Sequence, residues 1–461
     1  MTIKMKNSRR NFLRNSATAL AGATLATAIP TESSAAPGSS PWNNKRVPPS
    51  DKIRYGLIGC KGMGWSNMKA HLTSMPEVDC VALADVDQSV LDERSSDVEK
   101  LRGTKPKQFK DYRKLLEMKD LDAVVIATPD HWHCLNFCDS LSAGKHVYCE
   151  KPVSANIEEC YTMLRAAKRY PKQMVQIGQW QRSGTHYEQA HNYLKSGKLG
   201  NIRLVKTWAY QGWMNPVPVL PDGTPPAGVD YDMWLGPAPK RPFNQNRFHF
   251  NFRWFWDYAG GLMTDWGVHE IDIALFFMGA KAPKSIMASG GKLAYPDDAS
   301  ETPDTLQAVF EYDNFNMLWE HATGIDGGNY GKTEGIAFIG NNGTLVVNRG
   351  GWEIIPETKR NEEGLKVNKI EALPYQAKGS ADYLQLHTQN FVEAIKKGDP
   401  SILKCGIETG AVAAINASMG NVAFKLGRKV FWDAEKGEFK NDPEANALAK
   451  AKYHNGWKLP G

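Results

Sequence analysis

The sequence predicts an α/β chain: an amino-terminal, doubly wound parallel sheet, then an α+β domain with an open, largely antiparallel sheet. Three observations predict it. Short apolar runs alternate with helical patterns between Ile53 and Ile177, the rhythm of a parallel sheet. A Gly-rich turn joins the first apolar run to the first helix. After about residue 180 apolar runs follow one another with few helices between them, as in antiparallel sheets.

Taken in order, residues 1–36 stand apart. Ser8-Arg9-Arg10-Asn11-Phe12-Leu13 is a twin-arginine block. An Ala- and Thr-rich run follows from Ala17 to Ile29, and small residues offer cleavage after Ala28 or near Ala36. That order reads as a Tat export signal and places the mature protein in the periplasm; a plain basic tail is the bland alternative. Residues 37–50 (PGSSPWNNKRVPPS) read as a linker. Lys4, Lys6, Arg9, Arg10 and Arg14 against Glu32 give the signal a net +4, so only about +2 of the chain's +6 belongs to residues 37–461. That balance points to no nucleic-acid partner, and no basic block is interleaved with aromatics. No apolar stretch approaches the ~18 residues that span a bilayer, so no membrane association is expected once the signal is removed. The seven cysteines lack metal-ligand spacing; Cys134 and Cys138, four apart, read as buried thiols and not as a zinc half-site. No metal is expected.

The 461 residues, 42% hydrophobic and 23% charged, are ordinary globular values with room for two domains, 51–178 and 179–461. In the first, strands are predicted at 53–59, 78–84, 123–127, 146–149 and 174–177. Helices are predicted at 63–74, 88–101, 133–143 and 157–169, with a further one closing at 115–118. In the second, strands are predicted at 202–210, 284–290, 306–312, 317–323, 336–340 and 344–348. The Pro/Gly segment 212–248 reads as a lid-like loop. Helices are predicted after Gly260-Gly261 through Met278, at 384–397 and at 407–425, with an irregular tail from 428.

Gly59-Cys60-Lys61-Gly62-Met63-Gly64 lies between a strand and a helix. Glycines there permit a tight turn, close approach of a pyrophosphate and a helix N-terminus facing the anion, the Rossmann arrangement. Lys61 stands where the second Gly of G-x-G-x-x-G belongs, so the turn alone is a weak sign. Asp85 closes the next strand 21 residues after Gly64, the offset of an acid that holds the adenosine ribose. Asp87 follows and no Arg adjoins Asp85, which favours NAD over NADP. Thr128-Pro129-Asp130-His131-Trp132-His133 and Glu150-Lys151-Pro152 each follow a strand, where ligands sit in such sheets. The two histidines read as capping or cofactor contacts before metal ligands. A Lys beside a nicotinamide can steady a developing alkoxide, against a surface Lys as the ordinary alternative. Asp265 and His269 are four apart and share one face of the predicted helix. His is the natural proton acceptor near neutral pH, against a satisfied core His. Trp254, Trp256 and Tyr258 offer faces to a sugar, and Gln179, Gln181 and Arg182 offer hydrogen bonds to hydroxyls. Core packing and an ion pair are the alternatives for these.

Together ATPDHWH (127–133), AGKHVYCEKP (143–152), VQIGQWQRS (175–183) and GGLMTDWGVHEID (260–272) make the chain resemble the Gfo/Idh/MocA family, which includes glucose-fructose oxidoreductase and inositol dehydrogenase. The resemblance implies that Lys151, Asp265 and His269 are catalytic. It implies nucleotide contacts at Gly59, Cys60, Lys61, Gly62, Met63, Gly64, Asp85, Thr128, Pro129, His133, Glu150, Lys151 and Gln179. The implied reaction is hydride transfer from a sugar-like alcohol. His269 takes the hydroxyl proton, Lys151 steadies the oxygen and Asp265 orients His269. Gln181, Arg182, Trp254, Tyr258 and His269 are the expected substrate contacts. Export of a folded protein into a compartment without a nicotinamide pool implies a tightly held cofactor. A redox-assisted glycosidase or lyase, working through a keto-sugar, is the second reading, although the glycosidase branch of the family lacks Glu-Lys-Pro. A non-catalytic sugar-binding module is the third. By analogy a homo-oligomer is expected.

Overall fold

Residues 51–461 are described by a computed structural model; the expected export signal and the linker to residue 50 lie outside the described residues. The apolar runs of the amino-terminal half become six strands: β1 Ile53–Ile58, β2 Val78–Ala84, β3 Lys107–Phe109, β4 Ala123–Ile126, β5 His146–Cys149 and β6 Val175–Ile177. All pair in parallel, in the order β3-β2-β1-β4-β5-β6. β4 is buried at every residue, which is why it reads as a continuous apolar run and not as an alternating one. The strand order reverses between β1 and β4, and a crevice opens there above the strand ends.

The second sheet has ten strands. They are β7 Ile202–Gln211, β8 Ser285–Gly291, β9 Thr305–Glu311, β10 Asn316–Thr323, β11 Glu334–Gly340, β12 Gly343–Asn348 and β13 Gly351–Pro356, with β16 Leu373–Ala377, β17 Val430–Asp433 and β18 Glu438–Phe439; β14 Thr358–Arg360 and β15 Lys366–Asn368 form a separate hairpin. Their order is β16-β13-β12-β11-β7-β10-β9-β8-β17-β18. β7 pairs with β10 in parallel and the other pairs are antiparallel. β9 alternates buried and outward-facing side chains, the period of a half-buried strand.

One core joins the two sheets. Helix Ile407–Leu426 is buried on almost every side and packs on helices Ile157–Arg169 and Gly267–Met278 and on β8. Helix Tyr383–Lys397, expected within the 179–461 part, returns to the first sheet, where Phe391 and Val392 pack with Tyr55 and Leu57. All seven cysteines are buried free thiols. Among the described residues no helix is long and apolar enough to cross a membrane.

Three expectations need correction. The tail expected to be irregular from 428 carries β17, β18 and helix Pro443–Leu448. Helix Asp130–Ser142 begins three residues earlier than predicted, directly after Pro129; proline's fixed φ suits a helix start. The helix predicted unbroken after Gly260-Gly261 through Met278 is two, Gly261–Asp265 and Gly267–Met278, parted at Trp266.

Candidate active site

β1 runs into helix Met63–Ser74 through Gly59 (φ 84) and Gly62 (φ 49), left-handed conformations that only glycine adopts cheaply. A Cβ on Gly59 would stand 2.6 Å from the Ala127 carbonyl oxygen, and one on Gly64 1.9 Å from that of Gly59. The turn therefore needs its glycines for packing, and Gly62 supplies the freedom that Lys61 lacks. No side chain caps this helix, and its first turn carries no acid. The Gly64 amide donates to the Lys61 carbonyl at 3.0 Å; no side chain competes with an anion at this helix start.

Asp85 follows β2. Its carboxylate accepts from the backbone of Cys60 at 2.7 Å and of Asp87 at 3.0 Å. Burial pushes its carboxyl up to about 6 against the pull of those two amides. Thr128 and Pro129 follow β4, and Glu150 and Lys151 follow β5. Glu150 accepts from Asn67 at 2.7 Å, and burial raises its carboxyl although Lys151 and Asn67 oppose the rise. The Lys151–Pro152 peptide is cis.

These strand ends open on one cavity of about 900 Å³, near the top of the roughly 300–1,000 Å³ span of small-molecule sites. Gly59, Lys61, Gly62, Met63, Asp85, Thr128, Pro129, Glu150, Lys151 and Asp265 all line it. At its inner end Lys151 Nζ donates to Asp265 Oδ1 at 2.8 Å and to the Asp265 carbonyl at 2.9 Å. Arg253 Nε donates to the same Oδ1 at 3.1 Å. Burial alone would raise the Asp265 carboxyl, but Lys151 and Arg253 outweigh it and hold it well below the usual carboxylate range. His269 is buried against Trp180, ring centroids 5.2 Å apart, and its Nδ1 has no partner. Burial, then the Lys151 and Arg349 charges, depress its basicity, so it is neutral at pH 7.

The structure brings Lys151 and Asp265 into contact and sets His269 within electrostatic reach of Lys151, one layer behind the residues that line the cavity. Several expected roles are corrected. Among the described hydrogen bonds none joins Asp265 to His269. Asp265 ends one helix and His269 lies in the next, parted at Trp266, and the Asp265 carboxylate serves Lys151 and Arg253. Cys60 and Gly64 lie beneath the turn, with the Cys60 side chain fully buried, so they shape it without facing the cavity. His133 ties two loops together, its ring nitrogens 2.7 and 2.9 Å from the carbonyl oxygens of Pro152 and Thr128. Gln179 donates to the Val268 carbonyl at 3.2 Å and so fixes the helix that carries His269. Gln181 is spent on Tyr187 and Arg349. Arg182 is paired with Asp272. Trp254 and Tyr258 are buried in an aromatic core with Trp234, Phe248 and Phe252. None of these four side chains reaches the cavity, because each is already satisfied or packed.

Sequence reasoning missed two groups. Asp130 lines the cavity beside Lys151 and Arg253; burial pushes its carboxyl up to about 7, with Arg253 and Lys151 opposing. Its sign was the Pro129 helix start. Residues 248–253 also line the cavity; Arg253 and His249 adjoin the expected aromatic contacts in the sequence, but no local pattern marks a loop that folds back across 160 residues.

Residues 53–179 match the NAD-binding Rossmann fold model of the Gfo/Idh/MocA oxidoreductase family. Residues 201–347 match that family's C-terminal alpha/beta domain. A glycosyl hydrolase family 109 protein of Shewanella pealeana is 31% identical over 182 residues, 38% of this chain. That match spans only 40% of the relative's length. Scyllo-inositol dehydrogenase of Lactobacillus casei, solved with NAD(H) and scyllo-inositol, superposes with a TM-score of 0.58 at 21% identity, covering 82% of this chain and 99% of that one. Levoglucosan dehydrogenase in complex with NADH and levoglucosan gives 0.61 at 18% identity, covering 82% and 99%. At such identities the likeness to the two solved structures is one of fold.

Proposed function

The chain belongs to the Gfo/Idh/MocA oxidoreductase family, and from that premise we propose that it is an exported sugar oxidoreductase working on a tightly held NAD. The observation that carries the reading is the Lys151–Asp265 contact at 2.8 Å, set at the inner end of a glycine-cradled cavity. The fit to a dinucleotide rests on three features. Gly62 borders the cavity with open space where a Cβ would stand, no side chain caps the helix behind it, and Asp85 lines the same cavity. The glycine turn would hold the pyrophosphate and Asp85 the adenosine ribose. The names of the two solved relatives support a polyol or sugar as substrate.

When bound, the nicotinamide supplies the hydride acceptor. The protein's own groups do the rest. An ammonium has three donors; Lys151 spends two on Asp265 and has one for the substrate oxygen, where charge develops. His269, behind the cavity lining with an unpartnered Nδ1, would take the hydroxyl proton once a bound substrate brings its hydroxyl to that nitrogen. Asp265, held ionised, fixes Lys151 in place of orienting His269. The exposed apolar face of the second sheet, with Leu204, Met287 and Phe431, supports a homo-oligomer.

Asp85 gives this reading a pH signature. Ribose hydroxyls donate to the ionised carboxylate, so binding favours the deprotonated form. Affinity for NADH should climb as pH rises toward about 6, by about tenfold per unit at most, and level off above it. Fluorescence titrations between pH 5 and 7.5 read this directly, and Asp85→Asn should flatten the profile. A flat profile for the parent protein would remove Asp85 from the site.

The match to a glycosyl hydrolase family 109 protein favours one alternative, redox-assisted cleavage of a glycoside. Unfolding the purified protein and identifying the released nucleotide comes first; then a panel of sugars and glycosides is offered. Sustained NADH production supports the dehydrogenase. Cleaved glycoside without net NADH supports the hydrolase. Sugar binding with neither leaves a binding module, and absence of any nucleotide ends the proposal.

A further inference from the structure

The segment predicted as a lid-like loop is built, in the structure, as a strap across the nucleotide crevice. It is tied to the first sheet at several points beyond β2. Asp87 and Val229 form an isolated antiparallel bridge. Asp230 N donates to the Val86 carbonyl at 2.9 Å. Lys110 Nζ donates to the Gly228 carbonyl at 3.0 Å. Behind the strap an aromatic core of Trp234, Phe243, Phe248, Phe252 and Tyr258 holds its shape. The carboxyl-terminal tail fastens it from outside, through His454 N to the Pro237 carbonyl and Asn455 Nδ2 to the Gly236 carbonyl, each at 2.9 Å.

The residue directly after this segment is held in a costly conformation. His249 has φ 54, left-handed backbone that a non-glycine residue adopts only when its surroundings compel it. It lines the cavity together with Lys61 and Asp85. Its Nε2 lies 3.1 Å from Asp87 Oδ2, while Asp87 Oδ1 is used by the Ser89 backbone and hydroxyl. A carboxylate only accepts, so Nε2 carries the hydrogen and Nδ1 of the neutral ring is left as an acceptor. Such a nitrogen receives a hydrogen from a hydroxyl and repels the lone pairs of a phosphate oxygen.

We propose that His249 is a cofactor-binding residue: delivered by the strap to the adenosine end of the cavity, it accepts from a ribose hydroxyl, selects against a 2′-phosphate and closes the exit of the dinucleotide. The inference rests on the dinucleotide reading above and adds a determinant from the far part of the chain to Asp85. It also gives tight retention a structural cause, since release requires the strap to part from residues 86–88.

The test uses the full mature chain stripped of nucleotide, with NADH and NADPH fluorescence reporting affinity and release. His249→Asn suits the left-handed backbone but is too short to reach both Asp87 and a ribose. His249→Phe keeps a ring and removes the acceptor. Expected are NADH release at least about tenfold faster in His249→Asn, and an NADH:NADPH affinity ratio lowered about tenfold in both variants, each step being one decade. Unchanged release and an unchanged ratio, in variants whose thermal unfolding matches the parent, overturn the proposal. A parent protein that binds neither nucleotide overturns the dinucleotide reading itself, which separates the two failures.

Discussion

Lys151→Ala should yield a folded protein that keeps its nucleotide and turns over about 100-fold more slowly or worse. The magnitude follows from what the side chain does. A preorganised donor aimed at developing negative charge contributes roughly 2.7–4 kcal/mol to the barrier, and each 1.36 kcal/mol is about a factor of ten. The fold should survive because Asp265 retains its second partner, Arg253 at 3.1 Å, so no carboxylate is left buried alone. Asp265→Ala is the harsher change, since it leaves Lys151 and Arg253 facing one another without the charge both of them bind. Lys151→Arg should not rescue, because a planar fork cannot replace a compact ammonium that spends two donors on one residue. Steady-state turnover on the best substrate, nucleotide release on denaturation and a thermal melt together decide the matter. Full turnover in Lys151→Ala would remove Lys151 from the chemistry.

Why some of this was legible and some was not has physical reasons. The first sheet is parallel and covered on both faces, so its strands appear as unbroken apolar runs such as VDCVALA and AVVI, and the turn after β1 declares itself by its glycines. Strands β14 to β16 carry exposed polar residues, TKR and KVN among them, and show neither period. Edge strands of this kind are specified by their neighbours, not by their own composition. The Asp265–His269 spacing promised one helical face, yet the helix divides between them at Trp266, just before Gly267, and the Asp265 carboxylate is bound by Lys151, 114 residues away. Trp254 and Tyr258 have the same side chains whether they stack on a sugar or on Trp234, and only the packed aromatic core behind the strap decides. For Gln181 and Arg182 the missing information was a partner: Arg349 and Asp272 lie 168 and 90 residues away.

That last pair carries the largest stability effect. Arg182→Ala should destabilise the protein by about 3–5 kcal/mol, the usual cost of stranding one member of a buried ion pair. The geometry is bidentate, Nε to Asp272 Oδ2 at 2.7 Å and Nη2 to Oδ1 at 2.9 Å, and the Asp272 side chain is only 2% exposed. The guanidinium also lies 4.4 Å from the centre of the Phe276 ring, so packing is lost with the charge. Replacing both partners with apolar residues, Arg182→Met with Asp272→Leu, should recover most of the loss, since neither charge then remains to be desolvated. Urea unfolding of the single and double variants measures this. An Arg182 that contacted substrate would behave otherwise: its removal would raise KM and leave the unfolding midpoint in place. The pair acts on the chemistry only from a distance. Asp272 lies on the helix that carries His269, and Arg182 lies on the turn that carries Trp180, so their bond holds the imidazole against the indole. A loosened pair should lower kcat and stability together, without a selective change in KM.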